Sequence, residues 1–163
     1  MPKDAPKPSV PSNRTEPSTL TALQEAHTSV KRRIADRANN IIDFVNIRIE
    51  QPQNLALHTR ESRHRLTALI KELIYQHQLL YNALMNLADH TSLADHCTVT
   101  SRREEALERW TEEGERLGVL CYQARKYLGR ELAHEMHDQS SFSWRKPQNP
   151  VAPGVLLEKL PSP

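Results

Sequence analysis

Apolar residues recur three and four apart along most of this chain, and the places where that rhythm stops mark its elements. Leu20, Leu23, His27, Val30, Ile34, Arg37, Ile41 and Phe44 make a first heptad-like seam, interrupted by a cation at Arg37. Val45, Ile47 and Ile49 widen it near its end. Leu66, Leu69, Leu73, Gln76, Leu80, Ala83 and Leu87 make a second, broadened on one side by Ile70, Ile74, His77, Tyr81 and Leu84. A stripe that wide calls for more than one neighbour. Leu107, Trp110, Gly114, Leu117, Cys121, Ala124 and Leu128 make a third, flanked by Leu120, Tyr127 and Leu132.

Proline and glycine confirm the segmentation. Of eleven prolines, Pro52 alone lies between Ser18 and Lys146, and the first glycine is Gly114. Pro52 removes a donor and restricts the residue before it, so it ends the first helix. Pro17 suits a first helical turn. The sequence Ser101-Arg102-Arg103-Glu104 has the form of a capping box. The expected elements are helices at about 17–50, 57–89 and 101–137, the first some 50 Å long at 1.5 Å per residue. Short connections favour antiparallel neighbours. The expected fold is all-α: an elongated, coiled-coil-like antiparallel three-helix bundle over 16–138, between Pro-rich tails at 1–15 and 139–163. The first tail reads as disordered, the second as disordered or docking. In the second, Phe142 and Trp144 make a candidate docking segment, onto the bundle or onto a partner, and Val155-Leu156-Leu157 is an apolar cluster.

Composition narrows the function. Apolar residues are 37% of 163 and aromatics 5%, lean for a thick globule and adequate for narrow seams. The net charge is +2, and each tail carries +2, which leaves the helical part near −2. That is not the strongly basic face of a typical nucleic-acid domain. Two cysteines, Cys97 and Cys121, do not make a disulfide framework. There is no apolar leader at the N-terminus and no run of about 18 apolar residues, so the expected protein is soluble and intracellular, with no membrane partner.

Candidate chemistry is sparse. His90, His96 and Cys97 share a connection, and His134 and His137 share a helix face, but no Cys-x-x-Cys or His-Glu-x-x-His spacing brings four ligands together. No metal site, cofactor, catalytic residue or small-molecule substrate is therefore assigned, and no enzyme is expected. Cys121, in a seam, reads as a small core residue. Glu112, Glu113 and Glu115 read as a solvated face beside Arg109 and Arg116. Gly114, in the seam, reads as a point of close packing. Two basic clusters remain as candidate nucleic-acid contacts: Lys31, Arg32, Arg33 and Arg37 with Lys71, and Arg60, Arg63 and Arg65. Antiparallel pairing puts them towards opposite ends of the first hairpin. The assignments that follow are a helical interaction or self-association module, and, as the alternative, a double-stranded RNA binder such as a silencing suppressor. The partner is accordingly the chain itself, another helical protein, or RNA. Assembly would rest on Ile34, Ile41, Leu66, Leu73, Leu80, Leu107, Trp110 and Leu117, the same residues an intrachain core would use.

The stretch Val30-Lys31-Arg32-Arg33-Ile34 to Ile41-Ile42-Asp43-Phe44-Val45-Asn46 also resembles the first helix of the N-terminal helical region of Bel/Pao-type retrotransposon polyproteins. There a basic cluster leads into an aliphatic-aromatic segment ending in Asn. The likeness continues through Arg65-Leu66-Thr67-Ala68-Leu69 and the Glu-rich Arg103 to Leu128, over about 28–132. It implies a detached or element-derived helical module whose role is self-association, with no catalytic residues to carry over.

Overall fold

Three long helices make up nearly all of the part of the chain that the structure, a computed structural model, describes: residues 12–91, 99–129, 141–142 and 154–163, with backbone alone for 12–18, 91 and 99. They are α1 (Ser12–Glu50), α2 (Arg60–Thr91) and α3 (Val99–Ala124). The described elements are all helical, in the order of an antiparallel three-helix bundle.

The boundaries differ from the expected ones in instructive ways. α1 starts at Ser12, ahead of Pro17. After Glu50 the chain turns through Pro52 and enters a single 3-10 turn, Leu55–His58, whose start is capped by Asn54 through Ala56 N–H at 3.1 Å. α2 then begins at Arg60, with the Thr59 hydroxyl accepting from Ser62 N–H at 3.1 Å. α3 already includes Val99, so Ser101 lies inside the helix and the capping box with Glu104 does not mark its start. At its other end α3 does not run unbroken to 137. It tightens into a 3-10 turn at Arg125–Tyr127, and Leu128 is extended (φ −95°, ψ 150°). Leu128 is buried there, so the break turns an apolar side chain into the base of the bundle. His134 and His137 lie outside the described residues, as do His96, Cys97 and Trp144.

Polar pairs fix the register of α1 against α2. Arg33 Nε donates to Gln76 Oε1 at 2.8 Å, and the Arg37 guanidinium meets Glu72 at 3.4 Å. Each step of four residues up α1 is matched by four down α2, which is antiparallel packing. Further along, Arg48 donates to the Ser62 hydroxyl and, at 2.7 Å, to the Phe44 carbonyl, its guanidinium lying 3.1 Å from the Phe44 ring centre. Burial lowers the Arg48 pKa to about 10, Tyr127 opposing and Arg65 adding to the shift, so the side chain stays charged at neutral pH.

The core runs along α2, which packs on both α1 and α3, while α1 and α3 touch far less. Ile34, Ile41, Leu66, Leu73, Leu80 and Leu117 are all buried in it, and Trp110 packs against it half-buried. Leu107 departs from its expected seam position and is 45% exposed. Its neighbour Ala106 is buried instead, close to Leu84, Leu87 and Ala88 of α2. Gly114 has the packing role its position implies. A Cβ there would lie 2.8 Å from Cε1 of His77, whose ring fills the space.

Candidate strand-binding groove

Because α1 and α3 barely touch, a groove remains between them, and the chain's own C-terminal segment lies in it. Gly154 takes a positive φ of 88°, which a glycine adopts without strain, and the chain then runs without helix or turn to Leu160. Pro161 helps hold that form, since a residue before proline is pushed away from helical angles.

Two asparagines of α1 hold the strand by its main chain. Asn46 Nδ2 donates to the Leu157 carbonyl at 2.9 Å, and Asn46 Oδ1 accepts from Leu157 N–H at 2.7 Å. Asn39 does the same for Leu160, at 2.9 and 2.7 Å. Each side-chain amide thus satisfies both backbone groups of one residue, as a neighbouring β-strand would. The spacing allows both at once. Seven residues of helix rise about 10.5 Å, and three residues of extended chain span about 10 Å. Between them, Lys159 Nζ lies 3.0 Å from Asp43 Oδ1. Asn39, Ile42, Asp43 and Asn46 occupy one helix face at i, i+3, i+4 and i+7. The strand runs antiparallel to α1, since Leu157 meets Asn46 and Leu160 meets Asn39.

Beneath the strand the surface is apolar. Leu157 and Leu160 pack against the core, and Ile42, buried to 2% exposure, lies under them with Leu117, Val119 and Leu120 of α3. The strand does not fill the groove. A half-open cavity of about 150 Å³ remains between its leucines and α3.

A second docked piece, Ser141–Phe142, closes over His77. The His77 ring is 1% exposed, stacked 4.5 Å from Trp110 and tilted against Phe142 at 5.3 Å. Its Nε2 lies 2.9 Å from the Trp110 carbonyl, which can only accept, so Nε2 carries the proton in the neutral ring and Nδ1 accepts from the Ser141 hydroxyl at 3.0 Å. Trp110 returns the bond, Nε1 donating to the His77 carbonyl at 2.7 Å. Burial lowers the His77 pKa, opposed by the Trp110 carbonyl and Glu113. This is a structural clamp between α2 and α3. Phe142 therefore docks in cis.

The basic residues are spread out. Lys31, Arg32, Arg60, Arg65 and Lys71 are exposed, and Arg33 and Arg37 are half-buried against Gln76 and Glu72. Arg63 donates to the His58 carbonyl at 2.9 Å. By the register of the hairpin the Arg60–Arg65 group lies beside Arg48, about 20 Å along α1 from Arg33–Arg37. Among the described residues no three His, Cys, Asp or Glu side chains converge on a common point, and no helix is long and apolar enough to cross a membrane. Cys121 is fully buried, and burial pushes its thiol pKa far up.

Sequence reasoning missed Asn39 and Asn46. Their signal was faint: two amides one heptad apart on a helix, and a Leu-x-x-Leu run with a lysine inside it far downstream. No family model, no curated protein and no solved structure matches the chain.

Proposed function

We propose that this protein is a non-enzymatic helical interaction module whose working surface is the α1–α3 groove, and that the groove holds an extended polypeptide by its main chain. The observation that carries the reading is the pair of asparagines, each engaging both the N–H and the C=O of a single strand residue. A helix face that served only as a solvated surface would have no reason to place two amides at the period of a strand. The apolar floor beneath supports the same reading, since it supplies burial while the amides supply register.

Amide hydrogen exchange on the full-length chain tests this. Leu157 and Leu160 should exchange slowly in the native protein and quickly in the Asn39→Ala/Asn46→Ala double variant, while Ile41 and Leu73 stay protected in both. Fast exchange at Leu157 and Leu160 in the native chain, together with salt-sensitive binding of duplex RNA, would replace this reading with one based on the basic helix faces.

A further inference from the structure

We propose that residues Val155–Leu160 are a built-in competitor, and that the groove's ligand is an extended segment of another protein with the pattern aliphatic–any–basic–aliphatic or aromatic. This rests on the reading of the groove as a strand-binding surface and goes on to name what it binds and what restrains it.

Three features define the ligand. Asn39 and Asn46 take main chain, so they fix the direction and the three-residue spacing but not the sequence. Asp43 sits midway and is met by Lys159, so the ligand carries a basic residue one position before its second apolar anchor. The anchors enter the apolar trough over Ile42, Leu117 and Leu120. The half-open volume of about 150 Å³ beside Leu157 and Leu160 leaves room for a side chain larger than leucine. A ligand with Phe at one anchor keeps the main-chain contacts of the tail and has more apolar surface to bury.

The tail leaves that volume unfilled. It also projects Val155 and Leu156 into solvent, 50% and 46% exposed, so its apolar residues are only partly used. A tethered strand competes at an effective concentration near millimolar, which a better-fitting free strand can exceed in affinity. If the tail is docked about nine-tenths of the time, it weakens a competing peptide about tenfold.

The test uses the full-length protein and a synthetic peptide of residues 155–162 carrying an N-terminal fluorescein, titrated by fluorescence anisotropy. A Leu157→Asp/Leu160→Asp chain, in which the tail cannot enter the trough, should bind the peptide about tenfold more tightly than the native chain. Peptide with Leu157→Phe or Leu160→Phe should bind tighter, in at least one case by about fourfold, the worth of one further buried methylene. Lys159→Glu peptide should bind about twofold more weakly, and an Asp43→Lys chain should restore it. A second measurement does not depend on the variant folding: excess Phe peptide added to native protein should speed amide exchange at the chain's own Leu157 and Leu160. No such release, in a chain whose tail amides are protected, overturns the ligand and leaves the groove reading intact. Unprotected tail amides overturn both. Dimers that grow with concentration and vanish in the Leu157→Asp/Leu160→Asp chain would show that a second copy's tail is the occupant, and would also overturn the proposal.

Discussion

Replacing Gly114 by alanine sets two calculable effects against each other. In an exposed helix interior the change would stabilise by about 1 kcal/mol, because glycine is the poorer helix former. Here the new Cβ would lie 2.8 Å from Cε1 and 3.0 Å from Nε2 of His77. That ring cannot step aside cheaply. It is buried, stacked on Trp110, and bonded through both nitrogens. Overpacking of this kind costs about 1–3 kcal/mol, and losing the Nε2 bond to the Trp110 carbonyl adds about 1 kcal/mol. The net expectation is a loss of about 1–3 kcal/mol, read from urea unfolding followed by circular dichroism at an unchanged m-value. The decisive comparison is the same substitution in a His77→Ala background. With the ring gone only the helix-propensity gain remains, so Gly114→Ala should then stabilise by about 1 kcal/mol. Equal effects in the two backgrounds, or a stabilised Gly114→Ala single variant, would refute the account of Gly114 as the socket for His77.

Three further outcomes follow from burial and titration. His77 and His27 both have pKa values lowered from 6.5, chiefly by burial, so below about pH 6.5 the unfolded chain binds protons that the folded chain refuses. Stability should therefore fall as pH drops through 6.5 towards the lowered folded values, by up to about 1.4 kcal/mol per pH unit for buried His77 and by much less for half-exposed His27, whose charge solvent screens, seen as a falling midpoint in urea. Leu117→Ala should cost about 2–5 kcal/mol in the same assay, while Leu107→Ser, on an exposed side chain, should stay within about 0.5 kcal/mol. In a Cys97→Ser chain the buried Cys121 thiol should resist an aromatic disulfide reagent until denaturant is added, and then react fully.

Much of the fold was legible because helices are specified locally. Ile34, Ile41, Leu66, Leu73, Leu80 and Leu117 lie at seam spacing and are buried. Leu107, expected in an interface or in the core seam, lies outside the intrachain core and its neighbour Ala106 is buried in its place, because which of two adjacent residues faces inward depends on how the helices rotate against each other. The end of α3 was misread for a similar reason. Nothing between Ala124 and Glu131 forbids a helix, and Leu128 leaves it to reach the bundle base.

The groove was illegible because its two halves lie over a hundred residues apart and neither is unusual alone. Asn39 and Asn46 on a helix look like solvated positions, and Leu157–Leu160 in a Pro-rich tail looks like residue from no element at all. Only the match of periods joins them, seven helical residues against three extended ones. That match has a mechanical consequence. A strand shifted by one residue puts its backbone groups about 3.4 Å off both amides and its leucines out of the trough together. The amides and the trough therefore enforce one register on the tail, since a tail that satisfies either is already placed to satisfy the other. Asp43 then meets Lys159, a side chain whose position the main chain has already fixed, so the exposed ion pair adds little to the hold on the tail and follows from the register rather than setting it.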